Sequence, residues 1–162
     1  MSAEENKALV RYWIEEVINK GNLAVVDAMC PPGYVGHNPH HPLKDQPAGP
    51  EEVKEHVVRM LRTAFPDLQQ SIEDMIAEGD KVVVRSTFRG THQGPFAGIA
   101  PTGKRLSMTA IEIFRVKDGK IPEHWINADY LGAMQQLGAI PAPNAAPTHE
   151  PVAAGQERPV MG

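Results

Sequence analysis

The chain has 162 residues, 41% of them hydrophobic and 22% charged, with a net charge of −4 and one cysteine. That length supports one domain with a real core. A single cysteine excludes an intramolecular disulfide framework, and the absence of a basic block argues against nucleic acid or an anionic membrane as a partner.

The first residues lack an apolar h-region, and no run approaches the ~18 apolar residues of a membrane span, so a cytoplasmic protein is expected. Residues 2–19 predict an amphipathic helix. Ser2 and Glu5 have capping-box spacing, and Leu9, Val10, Trp13, Ile14, Val17 and Ile18 recur at helical intervals. Gly21 is a stop, and Asn22 is placed to cap a short second helix with Leu23, Val26 and Met29 on one side. A short strand is expected over 34–38, then a Pro-rich loop to Gly49. Pro50 suits the start of a third helix, Glu51 and Glu52 favour its dipole, and Val53, Val57, Met60, Leu61 and Ala64 form its core stripe.

Beyond Phe65-Pro66-Asp67 the period changes from helical to alternating, with Leu68, Gln70, Ile72 and Ile76 at even spacing. Gly79-Asp80 turns the chain into a β-rich run over 82–89. Residues 90–103 read as a loop, 105–116 as a long strand, and Asp118-Gly119 as a two-residue hairpin turn into a last strand over 120–129. A short helix over 130–136 stops at Gly138. From Ala139 onward the chain is rich in Pro and Ala without periodicity. The domain is therefore expected over 1–138, with 139–162 an extended or disordered tail.

Helices first and a meander afterwards indicate an α+β fold. Four long strands beside three helices can curl into a cone, a curved antiparallel sheet around a pocket closed by the N-terminal helices. The last strand is odd. It carries Glu123, His124, Trp125, Asn127 and Asp129 where a core strand carries Val and Ile, so it is an edge, a badly packed strand or a cavity wall.

Six segments occur in order: Tyr34-Val35-Gly36-His37-Asn38-Pro39; Ala64 to Leu68; Ile76 to Val83; Gly90 to Ile99; Pro101 to Lys104; and Asp118-Gly119-Lys120-Ile121 through Glu123-His124-Trp125 to Asp129. Together, over roughly residues 5–138, they resemble the SnoaL-like polyketide cyclase family of the NTF2-like superfamily of cones. The resemblance implies cofactor-free ring closure by intramolecular aldol condensation of a small hydrophobic carbonyl compound. It implies a cavity Asp after the Glu-x-Trp motif as acid/base, here Asp129, and a homodimer or tetramer. In some members a histidine on the preceding strand assists, and 105–116 contains none. The same cone also hosts water-activating enzymes and non-catalytic binding modules, and fold alone does not choose among them.

Asp129 has two readings: an acid/base whose pKa rises by desolvation in an apolar cone, or an N-cap of the last helix. The two exclude each other, since a caught carboxylate is a poor base, and the resemblance favours the first. Strand alternation puts Trp125, Asn127 and Asp129 on one face and His124, Ile126 and Ala128 on the other. If Asp129 faces the cavity, Trp125 lines it and Asn127 offers an amide to an oxyanion; a bulge would instead bring His124 inward. His37 and Asn38 can hold a carbonyl oxygen, although Asn38-Pro39 is also a turn-former. His92 is a candidate for substrate contact, and the 94–103 loop is a candidate lid. Glu112 is either an outer-face charge or a second cavity acid. His37, His40 and His41 match no defensible zinc spacing, and no Gly-rich dinucleotide motif occurs, so neither metal nor cofactor is expected.

Overall fold

Ser2 starts the first helix as its spacing predicts. Its hydroxyl accepts from the Glu5 amide, and the Glu5 carboxylate accepts from the Ser2 amide in return. In the computed structural model, which describes residues 1–142, helix α1 covers residues 3–19. It is α-helical over Ala3–Trp13 and π-helical over Ile14–Asn19. Val10, Trp13, Ile14, Val17 and Ile18 are buried, each contributing about 1.5–3 kcal/mol. Helix α2 is Leu23–Met29; the Asn22 side chain does not cap it but donates to Glu16 at 3.1 Å.

Helix α3 covers residues 50–64, with a π segment over Lys54–Arg59. The wider turns shift its inward stripe. Val53, Val58 and Ala64 are buried while Met60, expected in the stripe, is 45% exposed. Lys54 ties α3 to α2 through Asp27 at 2.6 Å.

Strands β1 Tyr34–His37, β2 Pro47–Ala48, β3 Gln69–Glu78, β4 Lys81–Thr91, β5 Arg105–Lys117 and β6 Lys120–Ala128 form one curved, unclosed sheet. Its order is β2-β1-β6-β5-β4-β3. The β3–β6 meander is antiparallel as expected. The sheet as a whole is mixed, because β1 joins β6 in parallel, and β2 forms inside the Pro-rich loop. Asp118 and Gly119 both take positive φ, as a type I′ hairpin requires. A register shift between Ile72 and Asp74 breaks the even spacing of β3. Gln70 points inward before it and Met75 after it, leaving Ile76 62% exposed. Helix α4, Tyr130–Gln136, packs on β5 and ends at Gly138, where φ is +80°. The tail expected over 139–162 lies, from residue 143 on, outside the described residues.

Candidate active site

The concave face of the sheet and helices α1 and α3 enclose a cavity of about 150 Å³. Most of its wall is apolar, including Ile18, Phe65, Phe88, Phe96, Met108 and Phe114. A buried polar cluster interrupts it, and His37, Asn38, His41, His56 and Tyr130 add polar groups elsewhere on the wall. Glu112, only 4% exposed, projects from β5 and accepts from His124 Nε2 through Oε1 at 3.1 Å. Its other oxygen accepts from Gln70 Nε2 and from Ser86 Oγ, both buried. Gln70 is itself held by its backbone: its amide donates to Asn19 Oδ1 at 2.7 Å, and its carbonyl accepts from Asn19 Nδ2 at 3.2 Å. The π-helical end of α1 supplies Asn19 to this cluster.

The His124 ring stacks on Phe114 with centroids 4.4 Å apart. In the neutral ring whose Nε2 donates to Glu112, Nδ1 carries the lone pair. The hydroxyl of Tyr34, from β1, stands 3.5 Å from Nδ1. Burial raises the Tyr34 phenol above its ordinary range, with nearby Cys30 and Glu112 adding to the effect. The hydroxyl therefore stays protonated.

This arrangement decides between the two facings of β6 that strand alternation leaves open. The parity of a strand is set by its partner, since cross-strand pairs share a face. On β5 the buried residues are Leu106, Met108, Ala110, Glu112, Phe114 and Val116. Phe114 pairs with His124, Glu112 with Ile126 and Ala110 with Ala128. His124 and Ile126 thus line the cavity, and Trp125 and Asn127 face outward without any bulge between them. Strand β6 ends at Ala128, and Asp129 is exposed. Its Oδ1 accepts from the Gly132 amide at 2.9 Å and caps α4. Asp129 is thus a helix cap outside this cavity and not on the cavity wall where its expected role as acid/base would put it.

The model of the SnoaL-like polyketide cyclase family matches residues 8–137. The chain belongs to the SnoaL-like polyketide cyclase family. Aklanonic acid methyl ester cyclase DnrD of Streptomyces peucetius is 35% identical over 109 residues, 66% of this chain and 70% of the relative. Nogalonic acid methyl ester cyclase of Streptomyces nogalater is 31% identical over 121 residues, 74% of this chain and 88% of the relative. The structure of TsrD from Streptomyces laurentii superposes with a TM-score of 0.73 at 32% identity, covering 86% of this chain and 99% of that one. The α+β cone is thus the fold of known SnoaL-like proteins.

Within this SnoaL-like cone the other expected site residues divide. Asn38 lines the cavity, where its Nδ2 donates to Tyr130 at 3.4 Å, and its Oδ1 also accepts from the His40 amide as its turn-forming sequence predicts. His37 borders the cavity, but both ring nitrogens stand within hydrogen-bond distance of carboxylates, Asp45 and Glu123, and its ring stacks on Trp125 at 5.1 Å. Burial works to lower its pKa; the hydrogen bonds to Asp45 and Glu123 outweigh that and raise it. His92 is fully buried beside Phe65, and its Nδ1 accepts from the Thr102 amide at 3.2 Å. It pins the 92–104 loop instead of meeting the cavity. His40 lies over Tyr130 and His41 edge-on to His56, so the three imidazoles of the 37–41 segment go to different partners.

Sequence reasoning passed over Tyr34, Gln70 and Ser86, and left Glu112 open. A signal for Glu112 existed. It occupies the even register of β5 among Leu106, Met108, Ala110, Phe114 and Val116, while Arg105, Ser107, Thr109 and Arg115 occupy the odd one. A lone charge on the apolar register of a long strand faces inward. Gln70 likewise sits on the even register with Leu68 and Ile72, but its role depends on contacts 51 residues away with Asn19 and 42 residues away with Glu112.

Proposed function

We propose that this protein is a polyketide-cyclase-like enzyme that closes a ring by intramolecular aldol chemistry, with the Glu112–His124 pair as acid and base. The observation that carries the reading is a buried carboxylate bonded to an imidazole at the wall of a mostly apolar cavity. His124 Nδ1 removes a proton from the carbon beside a carbonyl, and Glu112 stabilises the imidazolium that forms. The enolate carbon attacks a second carbonyl of the same molecule. A carbon–carbon bond forms, the C=O π bond breaks to an alkoxide, and the imidazolium returns its proton to that alkoxide. Nothing leaves, and acid and base both come from the chain, so the reading calls for no cofactor.

The ester cyclase names of DnrD and its relative from Streptomyces nogalater, with the polyketide cyclase family, support a polyketide-type ester as substrate class. The enclosed volume suits a one- or two-ring portion of such a molecule, since cavities of this size hold a small aromatic ring. Two assays test the reading: deuterium exchange at the α-carbon of 2-tetralone by NMR, and ring closure of aklanonic acid methyl ester by chromatography. Glu112→Gln and His124→Phe are expected to lower both about 10²–10⁴-fold, the usual worth of a positioned acid/base. Wild-type exchange rates in both variants would overturn it. Ring closure also separates this reading from water activation by the same pair, because only the latter incorporates oxygen from labelled water.

We further propose that the chain works in the cytoplasm as a homo-oligomer joined through the convex face of the sheet. An apolar row crosses four strands there: Ile76 pairs with Val83, Val83 with Ile113 and Ile113 with Trp125. Ile111, one row over, is 55% exposed. Among the described residues no helix is long and apolar enough to cross a membrane.

A further inference from the structure

We propose that Tyr34 is a second catalytic group of this site, its phenol donating a hydrogen bond to the substrate oxygen on which negative charge develops. The proposal rests on the Glu112–His124 reading and adds the group that this pair lacks. Removing a proton beside a carbonyl puts charge on the carbonyl oxygen, several atoms from the imidazolium, and Phe114 and Ile126 beside His124 offer that charge no partner.

Three observations point to Tyr34. First, it lines the cavity, is 7% exposed, and its hydroxyl stands on the one ring nitrogen of His124 that Glu112 leaves free. Any oxygen within reach of that hydroxyl keeps its neighbouring carbon close to the base. Second, the 3.5 Å separation from Nδ1 lies beyond the ~2.7–3.0 Å of a good hydrogen bond. The hydroxyl is thus weakly engaged, and no second hydrogen-bond partner holds it among the described residues. It is free to turn towards a ligand. Third, the ring is fixed. Strand β1 is clamped between β2 and β6, with Gly36 directly opposite His124. A Cβ at Gly36 would stand 3.4 Å from the Tyr34 hydroxyl, so the glycine keeps that side of the phenol open to the cavity. Tyr34 keeps its proton throughout. The transferred proton passes from substrate carbon to His124 Nδ1 and on to the new alkoxide, and burial holds the phenol as a donor across the working range.

The test uses Tyr34→Phe and two flat probes, 2-naphthol and naphthalene, with affinities read by fluorescence titration at a pH where the bound naphthol carries its charge. Donation to an oxyanion predicts at least a tenfold loss of 2-naphthol affinity with naphthalene unchanged within twofold. It also predicts that 2-tetralone exchange falls about 10²–10³-fold, as for removal of one oxyanion donor. Equal loss for both probes would reduce Tyr34 to packing and overturn the proposal, as would unchanged affinity for both. The failures are distinguishable. If Tyr34→Phe exchanges normally while Glu112→Gln and His124→Phe do not, Tyr34 loses its role and the acid/base pair keeps its own. If those two variants also exchange normally, both assignments fall.

Discussion

Asp129 Oδ1 holds the Gly132 amide at 2.9 Å, one of the orphan donors that every helix start leaves. The fit is close: a Cβ at Gly132 would fall 2.2 Å from the other carboxylate oxygen, so cap and glycine are matched. A carboxylate so engaged, and exposed, lies outside the cavity in which a base would meet the substrate carbon. Asp129→Ala should cost about 1 kcal/mol, the usual worth of a cap. For a domain of this size that is a fall of roughly 2–4 °C in Tm. Asp129→Asn, which keeps an accepting oxygen, should recover most of it. Both variants should retain 2-tetralone exchange within about twofold by the NMR assay. Loss of exchange in Asp129→Asn with an unchanged Tm would return the catalytic role to Asp129.

At the scale of elements, β6 serves both faces of the sheet. Its inward residues supply His124 and Ile126 to the cavity, and its outward ones join a chain of charges. Asp45 and Glu123 hold His37, Arg115 holds Glu123 at 2.9 Å, and Asp80 holds Arg115 at 2.6 Å. Through His37 this chain ties β1 and the loop carrying Asn38, His41 and Leu43, all cavity residues, to β5 and β6. Its pH dependence has a definite sign. Burial works to raise the Glu123 pKa, but Arg115 and His37 outweigh it and the pKa is lowered. His37 is raised. The His37 contribution is fully present below the ordinary histidine value of ~6.5 and fades as pH rises through its folded pKa. The Glu123 contribution is present above the ordinary value of ~4.3 and fades as pH falls through its lowered folded pKa. The Tm gap between wild type and His37→Leu should therefore be widest at about pH 5–6 and shrink by pH 9. It should stay within a few degrees, because partly exposed pairs contribute ~0–1 kcal/mol. A gap that widens with pH in differential scanning calorimetry would contradict the clasp.

For the whole molecule, among the described residues, the helices cover one side of the sheet. The concave face is closed by α1 and α3, and the convex face carries Ile76, Val83, Ile113 and Trp125 across its four meander strands. Trp125 is partly shielded by Lys81 and Arg115, whose cations lie 5.7 and 5.5 Å from its ring. Ile76 and Ile111 have no such cover among the described residues. Pairing of two copies over this row would bury them both. Ile76→Glu and Ile111→Glu together should convert the oligomer to monomer in light scattering after size exclusion, without loss of helix or sheet signal. A monomeric wild type would remove the proposed assembly and leave the cavity chemistry intact.

Local chemistry made much of this molecule legible from its residues alone. The Ser2–Glu5 box, Pro50 at a helix start, the Asp118-Gly119 turn and the alternation of β5 each act over a few residues, so composition and period declare them. The helix cap at Asp129 belongs to the same class; its local reading was available, and the family pattern outweighed it. What only the tertiary structure decided is which way β6 faces and which polar groups meet. A two-residue period says that His124 and Trp125 point apart, but only the pairing of Phe114 with His124 says which of them is inside. The site itself joins Tyr34, Gln70, Glu112 and His124 from four strands. Such contacts depend on register and on the shifts at Ile72/Asp74 and in the π-turns of α1, where one residue more or less exchanges cavity for solvent.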